Sequence, residues 1–444
     1  MKLLGKRSLS SFLKILLDIA FYGIFVAFVL LIVAVAVARR SDNVNTSQNF
    51  EVFFDLDPAI YEIESSAGPH LKTELTDASG YLVIRGGRFG LFLVPVLLLL
   101  PPLVAVLIVL HRLRRIFRRL IERRPFAAEN AKNLRFIGLA IIAGELVYAA
   151  AAYWSTRFVV SEFTASGVTL HADFDVRMTV ILIGLVLLII AEVFREGAQM
   201  KSDLEAAREI QFSLVSDTEY QAGPVSIHSE MQPADSVGGD YYDVIDLNDG
   251  RIAFVVADVA GHGLPAALLM ALLQGSLRSL ISSGLRGAEL VSKLNTYLVA
   301  NIPKNRMITF FYGELDPSTG QLSYVNAGHN PPYLYDSSGS RRLDSTGVVL
   351  GAVDGMPFAE ASVELRDGAR VLLFTDGIVE AANPADEEFG EERLKRLIGE
   401  QGDLAPARLI DRAVADVIKF CGKTKPADDM TMMVVTRSDS ARAH

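Results

Sequence analysis

Apolar residues along this chain fall into two regimes. Up to about residue 195 they gather in long runs, roughly 12–38, 89–110, 134–154 and 178–194. Each is near the length that crosses the hydrocarbon core of a bilayer. Beyond residue 219 the runs shrink to strand length and are punctuated by glycine, aspartate and proline. "RIAFVVA", "ITFFYGEL", "QLSYVNA", "RVLLFT" and "MTMMVV" have the composition of strands, and 264–283, 286–300 and 404–420 read as helices. "DPSTG" at 316–320 marks a hairpin between two of the strands. Strands linked by turns, rather than alternating strictly with helices, favour an α+β domain over a parallel nucleotide-binding sheet. Between the regimes, 194–214 reads as one helix. Met200, Leu204, Ala207, Gln211 and Leu214 follow a 4-3-4-3 rhythm on it. That narrow stripe suits pairing with a second copy or packing on the chain's own domain.

The pattern predicts a multi-domain protein. An all-α four-helix transmembrane region at 1–195 is followed by a linker helix at 196–218, an α+β domain at 219–437 and a disordered tail at 438–444. Charge agrees with this division. Residues 1–200 carry 21 Lys/Arg against 17 Asp/Glu, and the remainder 22 against 35. The acidic half excludes a nucleic-acid partner, because phosphate backbones require a basic surface. The first apolar run is about twice as long as the core of a cleaved signal, so it reads as a retained span.

The segment 111–135 holds nine Lys/Arg, whereas 41–88 holds three against eight acids. The positive-inside rule then places the basic loop, both termini and the downstream domain in the cytoplasm of a multi-pass inner-membrane protein. Arg39 and Arg40 lie on the opposite side. The basic loop also suits anionic lipid as a partner. Glu145, in mid-span, faces the bundle interior as an interhelical hydrogen-bond partner or a membrane sensor. Asp18 has Lys14 one helical turn before it and needs no further account. The lone cysteine, Cys421, permits neither a disulfide framework nor a cysteine metal site.

"FVVADVAGHG", Phe254 to Gly263, carries the chemistry. An apolar run ends there on Asp258, and a carboxylate at the end of a buried strand is costly unless something compensates it. Asp376 follows "RVLLF" in the same way, Asp240 sits in "GGDYYD", and Asp428 and Asp429 precede "MTMMVV". If these termini converge, like charges a few ångströms apart repel by roughly 4 kcal/mol per pair at an effective dielectric near 20. Protons or cations must neutralise them. An all-oxygen ligand set selects Mg²⁺ or Mn²⁺, and two such ions can activate a water against a phosphoryl group. Gly238 and Gly239 would let backbone approach that centre closely.

Taken in order, "GGDYYD", "DVAGHG", "NAGHNPP", "TDG" and "DDMT" resemble the bacterial branch of the metal-dependent, PP2C-like serine/threonine protein phosphatases, typified by sporulation and general-stress regulators. "AREIQFSLV" looks like that branch's lead-in helix, and the resemblance covers roughly 200–437. It implies an antiparallel β-sandwich flanked by helices and two Mn²⁺ or Mg²⁺ ions. Asp258 would bridge them as a catalytic centre with Asp376, and the Val259 carbonyl would complete one shell. Asp376 and Asp428 would bind the second ion, and Asp240 would hold waters on the first. Asp429 is the alternative to Asp428. His262 is displaced by two places from the histidine of eukaryotic relatives. His329 reads as a turn residue bonding backbone, with a catalytic role as the alternative, and Arg251 and Arg306 are phosphate-binding candidates by residue type alone.

The resemblance implies hydrolysis of phosphoserine or phosphothreonine on a regulatory protein, such as an anti-sigma factor antagonist. Two other readings compete: a catalytically silent binding scaffold and a membrane nucleotidyl cyclase. Separately, "RRPFAAENAKNLRFIG" is similar to the approach to the third span in a four-span bacterial membrane family of uncharacterised function.

Overall fold

The structure is a computed structural model that describes residues 9–38, 47–56, 78–85, 89–122, 125–162, 168–401, 404–422, 424 and 426–438. Arg39, Arg40, most of 41–88 and the expected tail from 439 onward lie outside these residues. The chain divides into two compact units, Met1–Lys201 and Ser202–His444.

The first unit is built on α1 (Leu9–Ala38), α2 (Phe89–Ile121), α3 (Ala128–Ser161) and α4 (Met178–Leu214). Among the described residues, α1, α3 and α4 contain stretches long and apolar enough to cross a membrane, and α2 is the fourth apolar helix of the region. Ile19, Leu30, Leu182 and Ile189 are largely exposed on these helices. Exposure on that scale disfavours water as the surrounding solvent, at about 25 cal/mol per Å² of apolar surface. The four helices are as expected, but the connections are not all irregular. β1 (Ser47–Leu56), β2 (Ala78–Arg85) and β3 (Val168–His171) form an antiparallel sheet in the order β2-β1-β3. Aromatic and β-branched residues in "NFEVFF" and "YLVI" favour extended chain.

The second unit has two antiparallel sheets. One runs in sequence through β4 (Glu219–Ala222), β5 (Val225–Gln232), β10 (Tyr333–Asp336), β11 (Gly339–Arg342), β13 (Arg370–Phe374) and β14 (Met430–Arg437). Its spatial order is β11-β10-β13-β14-β5-β4. The other contains β6 (Tyr241–Asp246), β7 (Ile252–Val259), β8 (Ile308–Leu315), β9 (Gln321–Ala327) and β12 (Ala361–Glu364), in the order β12-β9-β8-β7-β6. α5 (Leu264–Ser282) and α6 (Gly287–Asn301) cover the five-stranded sheet. After the single turn α7 (Asp376–Val379), α8 (Glu391–Gln401) and α9 (Pro406–Cys421) cover the six-stranded one.

Strand periodicity assigns each side chain to a layer. On β7, Phe254 and Val256 enter the core between the sheets, while Ala253, Val255 and Ala257 pack under α5 and α6. On β14, Met433 and Val435 enter the same inter-sheet core, while Met432 and Val434 pack under α9. α5 is also apolar enough to cross a membrane, yet Met270, Leu273, Leu277 and Ile281 are buried in the domain core. Its Arg278 forks onto the buried Asp243, with bonds of 2.8 and 2.7 Å.

Candidate active site

The inter-sheet layer is apolar along its length and polar at one end. Asp258 continues the alternation of Phe254 and Val256, and Asp240 continues that of Tyr242 and Val244. The β6–β7 register, Tyr241 opposite Ala257, carries Asp240 alongside Asp258. In the facing sheet, Phe374 pairs with Met432, so the end of β13 and the start of β14 lie side by side. Asp376 leaves the first and Asp428–Asp429 enter the second. Four chain segments therefore deliver their carboxylates to one end of the sandwich.

Each carboxylate has its own surroundings. Asp240 is buried and accepts hydrogen bonds from Thr375 Oγ1 (2.8 Å) and Thr431 Oγ1 (2.5 Å). Both threonines lie inside "TDG" and "DDMT", and their adjacency to the acids of those motifs is the sequence signal for them. Asp429 is also buried. Its Oδ1 accepts the Ala234 N–H and its Oδ2 the Gly239 N–H, both at 2.7 Å. Among the described residues, Asp428 accepts only the neighbouring Asp429 N–H, at 2.8 Å. Asp429 is thus occupied in tying the loop before β6 to β14, while Asp428 keeps its outward valence.

Electrostatics follow from this crowding. Burial, reinforced by the charges of Asp376 and Asp428, pushes Asp258 up to about 7. Burial and then the charge of Asp258 hold Asp240 well above the usual carboxylate range. Burial raises Asp376 and Asp428 as well. The Val259 carbonyl faces the same end: a Cβ on Gly239 would stand 2.8 Å from its oxygen, so only glycine allows the approach. Oxygen donors alone, four carboxylates raised by burial and one facing carbonyl fit a hard divalent cation. As the side chains stand, no three described His, Cys, Asp or Glu residues are grouped closely enough to hold one ion together.

The remaining candidates separate clearly. His262 is exposed, with Nδ1 3.6 Å from Asp235. His329 is buried, and Nδ1 lies 2.9 Å from the hydroxyl of Thr309, the residue paired with Asp258 across β7–β8. Its backbone N–H donates to Asn326 Oδ1 (2.8 Å), and Nε2 makes no hydrogen bond of good geometry. Burial pushes the imidazole down to about 4, offset in part by the Phe374 backbone. Arg251 is at the far end of β7, engaged with Asp249 and Glu314. Arg306 is at the near end. It donates to the Ala260 carbonyl (2.5 Å) and lies against Gly261, whose φ of 103° suits glycine. Glu145 lies apart from this site, in the first unit. It is buried and bound by the Arg177 guanidinium at 2.9, 3.1 and 2.5 Å and by the Arg177 backbone N–H at 3.0 Å.

One residue of the linker stripe belongs to this site's support. Gln211 is buried, donating to the Gly238 carbonyl (2.6 Å) and accepting the Gly238 N–H (3.1 Å). The 4-3-4-3 rhythm places it on a pairing seam, but a side-chain amide can satisfy the backbone N–H and C=O of one residue, and here it does.

Comparison with known proteins gives the site a family context. Residues 248–438 match the family described as Stage II sporulation protein E (SpoIIE), and residues 67–207 match a protein of unknown function (DUF2975). Protein IcfG of Synechocystis is 29% identical over 278 residues, covering 56% of this chain and 44% of that protein. Phosphoserine phosphatase RsbU of Bacillus subtilis is 27% identical over 242 residues, covering 54% of this chain and 71% of RsbU. Phosphoserine phosphatase RsbP of the same organism is 28% identical over 185 residues, covering 40% and 46%. The chain therefore spans about half the length of two of these three relatives. Among solved structures, the SiaA-PP2C domain of Pseudomonas aeruginosa aligns with a TM-score of 0.49 at 22% identity, covering 55% of this chain and 99% of that one.

Proposed function

We propose that the SpoIIE-type PP2C domain of this chain is a metal-dependent phosphatase that removes phosphate from phosphoserine or phosphothreonine on a regulatory partner, of the kind that antagonises an anti-sigma factor. The observation that carries the reading is the gathering of Asp240, Asp258, Asp376 and Asp428 at the polar end of the sandwich. Two relatives bearing the name phosphoserine phosphatase support it.

Asp258, the Val259 carbonyl, Asp376, Asp428 and, through water, Asp240 would hold two Mn²⁺ or Mg²⁺ ions, which supply hydroxide at neutral pH and neutralise phosphoryl charge. The chain's own residues do the positioning. Thr375 and Thr431 fix the Asp240 carboxylate from two adjacent strands. Asp429 and Gln211 hold the loop that presents Gly239. Arg306, beside the turn after β7, is placed to meet a phosphate oxygen through its guanidinium fork. The buried His329 is neutral at physiological pH and braces Thr309.

In this reading the apolar helices are membrane spans. Both termini and the phosphatase domain face the cytoplasm of the inner membrane, as the basic stretch 111–135 argues. With Gln211 turned inward, a homodimer along α4 would rest on its exposed positions, of which Met200 is one.

The test uses the full-length protein in detergent with a phosphoserine-bearing protein and Mn²⁺. Phosphate release is expected, abolished by EDTA and lowered at least about a hundredfold by Asp376→Asn. Release that survives the chelator defeats the mechanism. Tight binding of the phosphoprotein without release establishes the silent scaffold, and conversion of a nucleoside triphosphate establishes the cyclase.

A further inference from the structure

α1 and α2 enclose a cavity of about 190 Å³ lined by Lys14, Asp18, His111, Arg114, Arg115 and Arg118. The α2 residues recur at i, i+3, i+4 and i+7, so they occupy one helical face. Basic residues elsewhere on α2 are engaged with α3. Arg112 donates to Asn133 (3.1 Å) and lies over the Phe136 ring, and Arg119 is 3.9 Å from Glu129. On the cavity side, Asp18 is the only acid among the described residues of the lining. It accepts from Lys14 at 3.0 Å and from Arg114, which also reaches the Tyr22 hydroxyl (3.3 Å) and stacks over Phe21 and Tyr22. Arg115 and Arg118 have no acidic partner among the described residues.

The described residues of the lining thus hold four permanent cations, Lys14, Arg114, Arg115 and Arg118, against one anion. Such an excess repels itself unless an anion joins it. Arg114 is held in place by aromatic rings and Asp18, while the two unpaired guanidinium groups present forks that match phosphate oxygens. The cavity lies where the apolar run of α2 gives way to charge, which is the depth of a lipid headgroup in a spanning helix. We propose that this cavity binds one phosphate-bearing anion, a chemistry shared by the headgroup of an anionic phospholipid and by a soluble phosphate. The inference stands apart from the phosphatase reading, since none of its residues belongs to that site.

The test places the full chain in nanodiscs of phosphatidylcholine, with or without phosphatidylglycerol, and counts retained lipid by native mass spectrometry. Wild type is expected to retain phosphatidylglycerol selectively, and Arg115→Gln/Arg118→Gln to lose that retention about tenfold. Inorganic phosphate titrated into phosphatidylcholine discs is the second arm. A melting-temperature rise there, absent from the same variant, with no selective lipid retention, assigns the site to a soluble anion. Arg112→Gln/Arg119→Gln removes equal charge from the other side of α2 and should leave retention unchanged. Equal loss in that control, or a double variant identical to wild type in both arms, overturns the proposal. Should the double variant be misfolded by circular dichroism, Arg115→Gln and Arg118→Gln singly carry the same expectation, each with a partial loss.

Discussion

At the scale of single residues, the site sets two buried titratable groups against each other in pH. Asp258 is raised to about 7, chiefly by burial. The folded state therefore binds its proton where the unfolded chain does not, and this contribution to stability is lost as pH rises from the ordinary carboxylate range through about 7. A divalent cation should substitute for the proton. The expected result is that Mn²⁺ raises the melting temperature of the EDTA-treated protein more at pH 8 than at pH 5, and an equal rise at both counts against the carboxylates as its ligands. His329 runs the other way. Depressed to about 4, it resists protonation that the unfolded chain accepts below about 6.5, so stability falls as pH drops through that window, by at most about 3 kcal/mol. His329→Gln should flatten the acid limb of a urea-denaturation profile between pH 6.5 and 4; an unchanged limb would place its origin elsewhere.

At the scale of elements, the loop between β5 and β6 is held from two directions. Asp429 takes the amides of Ala234 and Gly239, and Gln211 of α4 takes the backbone N–H and C=O of Gly238. Gln211→Ala would strand a buried N–H and C=O, at a cost of about 1–3 kcal/mol. Its expected signature is weaker Mn²⁺ affinity with little change in the KM for phosphoprotein, measured by metal titration of activity. An altered KM at full metal affinity would speak for a role in binding the partner instead. The strands flanking this loop, β5 and β6, drew no expectation from sequence, whereas elsewhere the runs of β7, β8, β9, β13 and β14, the helices α5, α6 and α9 and the "DPSTG" hairpin were readable from it. The inward turn of Gln211 was not, because a heptad position specifies a face of a helix but not what that face meets.

At the scale of the molecule, the orientation proposed above, with the acidic domain inside the cell, can be tested by labelling. Ser338 is exposed on the turn between β10 and β11, and Cys421 is buried. A Ser338→Cys variant should resist an impermeant maleimide in intact cells and react after lysis. Labelling of intact cells would reverse the orientation.

The sequence by itself determined which residues are apolar, how often they recur and where acids interrupt them. That was enough for two regimes, for the apolar helices of the first and several helices and strands of the second, and for the suspicion that Asp240, Asp258, Asp376 and Asp428 share a task, because local periodicity and the cost of buried charge are properties of short segments. Only the tertiary structure decided that Asp429 braces a loop, that Arg306 lies at the site's end of β7 and Arg251 at the other, and that Thr375 and Thr431 hold Asp240. It also turned a stripe of arginines on α2 into the wall of a cavity against α1. Each of these is a meeting of segments far apart in the chain, set by sheet register and helix packing, and no local pattern encodes which distant partner a side chain will find.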